Sequence, residues 1–135
     1  MEVEAAIADP KGQSFFIELI ESLDALAEKY LIADELVATD GSCCAIGAVC
    51  IRRKIDTSEV DPEDADHVAK LVGINELIAR EVAWQNDEGW WGERSDQSKG
   101  SNRWSGMRRW AYKQLSKWSR LELRRKAERH YPYPE

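Results

Sequence analysis

The residues best able to do chemistry are three cysteines in one run, CCAIGAVC. Cys43 and Cys50 are seven positions apart and share one face of a helix, while Cys44 is turned about 100° from Cys43. Structural zinc takes four ligands, often in Cys-x₂₋₄-Cys pairs, and this run holds no such pair. A buried free cysteine behaves as a small apolar side chain. Packing is therefore the expected role of Cys43, Cys44 and Cys50, with a metal ligand or a reactive thiol as the lesser alternatives. Gly47, in mid-helix, costs about 1 kcal/mol relative to alanine. Close approach of a neighbouring helix is its expected reason. No metal and no cofactor is expected.

Nucleophilic catalysis needs a base beside the nucleophile, and His67 and His130 are the two histidines. His67 is expected on the outer face of its helix and His130 in the terminal segment. Carboxylates cluster at Glu63, Asp64 and Asp66 and at Asp87 and Glu88, where capping of helix ends is their ordinary use. No phosphate-cradling glycine loop and no metal-binding helix motif occurs. A non-enzymatic protein is expected. Asn86 and Asp87 read as a helix end and turn, since asparagine tolerates left-handed backbone and aspartate bonds turn amides. Recognition of a ligand beside Trp84 is the alternative.

Six tryptophans in 135 residues exceed what a core of this size requires, and Trp90 and Trp91 stand together in a polar stretch. Adjacent side chains do not easily both point inward. Either one of the pair is exposed as an interface anchor, a common use of tryptophan, or the stretch folds back and plugs a gap between helices. On the last helical segment Arg109, Lys113, Lys117, Arg120 and Arg124 cluster on one side, opposite Trp104, Met107, Ala111, Leu115 and Trp118. Regular cations beside aromatic rings suit phosphate contact.

The charge distribution sets the context for that face. Residues 1–100 carry 9 Lys/Arg against 22 Asp/Glu, and residues 101–135 carry 10 against 3. Opposed halves attract one another or meet partners of opposite sign. The acidic body works against binding a polyanion, and no helix-turn-helix, zinc-finger or RNA-motif signature is present. No run approaches 18 apolar residues, so no membrane span is expected. The acidic start, MEVEAAIADP, does not read as a secretory leader, and three cysteines make a poor disulfide framework. A reducing cytoplasm is the expected setting.

The elements that must position these residues read as helices. Asp9-Pro10 is a capping residue followed by a first-turn proline. Phe16, Leu19, Ile20, Leu23, Leu26, Ala27 and Tyr30 then form an apolar stripe. Residues 31–37 are expected to continue that helix or add a turn before Asp40-Gly41. Ser42 is expected to cap the cysteine helix, which ends in Arg52, Arg53 and Lys54. Asp61-Pro62-Glu63-Asp64 starts another helix that Gly73 stops, and Asn75 caps the next. Residues 86–102 read as a long loop, residues 103–129 as one final helix, and 131–135 as an extended tail. The expectation is an all-α protein with a single domain of about five helices over residues 1–130.

The CCAIGAVC helix resembles the Cys-(Cys or Ala)-Leu-Gly-(Ala or Val)-Leu helix of small uncharacterised bacterial and phage proteins. Ala83 to Gly89 resembles their Asn-Asp-x-x-Gly segment, and Arg103-Trp104-x-x-Met107-Arg108-x-Trp110 their final helix. The resemblance covers residues 15–118 in the same order. It implies a compact helical accessory protein, often carried by phages or mobile elements, in the host cytoplasm or in a particle. The function expected is binding of a protein partner through Trp90, Trp91 and the basic face, as inhibitor or particle component. Nucleic-acid binding through the last helix is the alternative.

Overall fold

The computed structural model describes residues 2–89 and 96–130. Within them the chain forms seven helices and no strand: α1 (Val3–Ala8), α2 (Pro10–Ala25), α3 (Ala45–Arg53), α4 (Ala65–Val72), α5 (Glu76–Glu88), α6 (Asp96–Gln114) and α7 (Lys117–His130).

Helix α2 organises the rest. Asp9 caps it by accepting from the Lys11 amide at 2.9 Å, and Pro10 takes the first helical position, where its missing N–H costs nothing. Phe16, Leu19, Ile20 and Leu23 lie wholly buried on its inward stripe, and α1, α3, α6 and α7 all pack against it. The helix stops at Ala25, short of Tyr30. Lys29 folds back and donates to the carbonyls of Asp24 and Leu26, both at 2.6 Å, satisfying groups that a helix end leaves bare.

Residues 31–44 are not helical, contrary to the continuation expected for 31–37. Ile32 donates to Cys43 O at 2.9 Å, Ala38 to Ser42 O at 2.8 Å, and Val37 bridges Cys43 antiparallel around a turn at Gly41. With Cys44 donating to Leu36 O at 3.0 Å, three backbone bonds to its own return limb hold this segment out of a helix. They also move the start of α3: Cys44, not Ser42, is the capping residue, its Sγ accepting from the Gly47 amide at 3.3 Å. Ser42 is engaged instead by Asp40, whose carboxyl it holds below the usual carboxylate range.

Gly73 and Asn75 stop and cap where the sequence places them, whereas α4 starts at Ala65 with Asp64 as its cap, and Asp61-Pro62 forms a turn ahead of it instead of the first helical turn. Beyond them, α5 runs on through Asn86 and Asp87 to Glu88, and α6 begins at Asp96, so both ends of the expected 86–102 loop are helical. Gly100 sits inside α6 because a Cβ there would lie 1.9 Å from the Tyr30 ring. Trp90 and Trp91, and the tail 131–135, lie outside the described residues.

The final helix is two helices. Gln13, buried on α2, donates to Ile7 O (2.8 Å) and Gln114 O (3.0 Å) and accepts from the Ser116 amide (2.7 Å). One side chain thus bonds both sides of the α6–α7 break. Ser116 caps α7 through its Oγ, which accepts from the Ser119 amide at 3.1 Å. The interruption re-phases everything after it. Ser119 turns inward, and Trp118, expected on the buried arc, is 76% exposed.

Candidate functional site

The cysteine helix is the most buried element, with every residue from Cys43 to Cys50 inside. Burial raises all three thiols, Cys43 to about 11 and Cys44 to about 12. The thiolate, which is the reactive form, is therefore suppressed. The sign for stability follows. Each thiol stays protonated in the fold above the pH at which it ionises in the unfolded chain, so its contribution holds below about pH 9 and is lost as pH rises beyond it. Native protein at pH 8 is expected to leave Ellman's reagent uncoloured, with three thiols released in urea. A fast thiol in the native state would show an accessible nucleophile. Gly47 meets not a neighbouring helix but loop backbone, as a Cβ there would lie 1.9 Å from Leu36 O.

Asn86 is fully buried in the body of α5, and it caps a different helix. Its Oδ1 accepts from the Ala45 amide at 3.0 Å, the first residue of α3, and its Nδ2 donates to Ile32 O at 2.9 Å and to Asp87 Oδ1 at 2.7 Å. Asp87 also accepts from the amide of Asp34, a residue at φ +67. Arg103 donates to Asn86 O at 2.6 Å. These polar groups tie α5, α6, the 31–44 segment and α3 together. The cavity beside them, bordered by Cys44, Asn86 and Asp87, measures about 30 Å³. That is room for water, not for a substrate. His67 is exposed on α4, and no cluster of three or more potential metal ligands occurs among the described residues.

The basic residues of α6 and α7 divide into two groups. Arg120 and Arg124 face a groove of about 410 Å³, together with Arg52 from α3 and Arg108 from α6. Arg109, Lys113 and Lys117 are exposed but do not line it. Inside the groove Arg108 is held by Asp24 through Nε and Nη2 at 2.7 and 2.9 Å. Glu21 takes Lys126 at 2.9 Å and Arg52 at 3.6 Å. Arg120 lies over the Tyr112 ring, 4.5 Å from its centre, and donates to the Tyr112 carbonyl. Among the described residues no carboxylate comes within salt-bridge distance of Arg109, Lys113, Lys117, Arg120 or Arg124. Sequence spacing on one helix finds Arg120 and Arg124. It misses Arg52 and Arg108, which other elements bring to the same place.

Among the described residues two indoles stand in solvent, Trp84 at 55% and Trp118 at 76% exposure. Trp104 and Trp110 are half-buried: Trp104 donates through Nε1 to Leu23 O at 2.9 Å, and Trp110 packs edge-on against Phe16. Trp118 borders a shallow depression with Pro10, Ser14 and Ile17, on the opposite flank of α7 from the arginine groove. Six residues along a helix set it about 120° from Arg124. No described helix is long and apolar enough to cross a membrane. No family model, curated protein or solved structure matches this chain.

Proposed function

We propose that this protein is a non-catalytic binding module that grips an acidic protein partner across α6 and α7. Trp118 is its anchor, and Arg109, Lys113 and Lys117 steer the approach. The observation that carries this reading is the 76% exposure of Trp118, next in sequence to Lys117, an exposed cation that no described carboxylate answers. An indole in water is poorly placed for folding and well placed for association, where tryptophan and arginine dominate binding energy. Charge complementarity then sets orientation and encounter rate. The resemblance of residues 15–118 to small phage and bacterial helical proteins agrees with an accessory role of this kind, as inhibitor of a host enzyme or as a particle component in the cytoplasm.

Capture from a nuclease-treated host extract tests the reading. Wild-type protein is expected to retain a partner that Trp118→Ala and Lys117→Glu both lose, while circular dichroism and melting of the variants stay unchanged. Retention by both variants would refute it. Nucleic acid on the exposed cations Arg109, Lys113 and Lys117 of α6 and α7 is the second reading. In that case capture vanishes with nuclease, and affinity falls with log salt at a slope of about −0.9 per phosphate neutralised on duplex DNA.

A further inference from the structure

We propose that the groove between α2, α3 and the α6–α7 pair is a receptor for a phosphomonoester on a nucleotide-sized ligand. Four guanidinium groups from three helices, Arg52, Arg108, Arg120 and Arg124, converge on it against two carboxylates, Glu21 and Asp24. The cationic excess matches a phosphomonoester, which carries a charge of about −1.5 to −2 and three strong acceptor oxygens. Guanidinium forks meet such oxygens two at a time.

Two of the four arginines are held in advance. Asp24 occupies Nε and Nη2 of Arg108 and leaves Nη1 to donate elsewhere. Tyr112 supports Arg120 from beneath and receives one hydrogen bond from it. Binding then orders few side chains, which reduces its entropic cost. Size argues for a phosphate with a body attached. A groove of about 410 Å³ falls in the range of small-molecule sites, and the carbon of exposed Ala25 and Ala127 and of half-buried Leu123 lines it for an organic ring. A long polyanion fits poorly, because residues 1–100 carry 22 acids against 9 bases. The proposal does not depend on the protein-partner reading, since Trp118 borders a separate depression.

Calorimetric titration of the full chain at fixed salt tests it, with adenosine monophosphate, adenosine, inorganic phosphate, hexaglutamate and an oligothymidylate lacking terminal phosphate as probes. The monophosphate is expected to bind at least tenfold more tightly than each of the other four. Arg120→Gln and Arg124→Gln, both exposed changes, are each expected to weaken it at least tenfold with the melting temperature unmoved. Adenosine or free phosphate binding as well as the monophosphate would overturn the proposal. Tighter binding of the oligonucleotide would make the groove a polyanion surface, and tighter binding of hexaglutamate a peptide site. Wild-type affinity in both variants would remove the groove altogether.

Discussion

Gly47→Ala is expected to destabilise the protein by about 3 kcal/mol or more, at the upper end of what overpacking costs. Propensity alone points the other way, because alanine in mid-helix is worth about 1 kcal/mol over glycine. Space decides the sign. The added methyl would stand 1.9 Å from Leu36 O and 2.8 Å from Leu36 C, which are backbone atoms and cannot rotate away. Leu36 O is itself pinned, accepting from the Cys44 amide at 3.0 Å. Relief therefore means moving the 31–44 segment off α3, breaking the Val37–Cys43 bridge and uncovering the buried Leu36. Gly73→Ala is the control, as its Cβ would meet open space and pay only for a left-handed φ of +73. That penalty is about 1–2 kcal/mol. Urea titration of the two variants is expected to rank Gly47→Ala clearly below Gly73→Ala. A stabilised Gly47→Ala protein would show that the loop does not lie against α3.

Asn86→Leu is expected to cost about 3–4 kcal/mol, although leucine is similar in size and the site is buried. The loss is in unpaired partners. Without the carboxamide, the buried Ala45 amide and the half-buried Ile32 carbonyl lose the bonds of 3.0 and 2.9 Å that satisfied them. Each buried orphan costs about 1–3 kcal/mol. Asn75 gives the contrast, since it caps its own helix at the surface by accepting from the Leu77 amide. Asn75→Ala is expected to cost about 1 kcal/mol, the usual value for an exposed cap. Amide exchange adds a positional readout. Protection should fall at Ala45 and through the first turn of α3 in Asn86→Leu while α4 stays as in the wild type. Equal stability losses in the two variants would mean that Asn86 does no more than an ordinary cap.

What the sequence made legible was local. Asp9-Pro10, Gly73 and Asn75 act on residues two to four positions away, and each does what its chemistry implies, while the Asp61-Pro62 start is displaced to Asp64. The all-helical class and the burial of CCAIGAVC follow from short-range periodicity of the same kind. The failures are long-range. The apolar period runs through Ser116 without a flaw, and the helix is interrupted by Gln13, 103 positions earlier. That single insertion turns Trp118 outward and separates Arg109 and Lys113 from Arg120 and Arg124. Gly100 argued for a loop because glycine is a poor helix former, yet packing against Tyr30 outweighs about 1 kcal/mol of propensity. Asn86 looked like the end of one helix and serves as the cap of another, a role that only the crossing of α5 over α3 creates. The arginine groove was half legible for the same reason, since Arg52 and Arg108 reach it from elements whose packing no single wheel displays.

The measurement that bears most directly on the binding surface is the affinity of the captured partner, once purified, for wild-type protein and for Trp118→Ala at one fixed salt concentration. Removal of a central aromatic anchor costs about 2 kcal/mol or more, a weakening of roughly thirtyfold, and that loss is expected here with the fold intact by circular dichroism. An affinity unchanged by the truncation would mean that the exposed indole touches nothing, and that the surface proposed on α6 and α7 is not where this protein meets its partner.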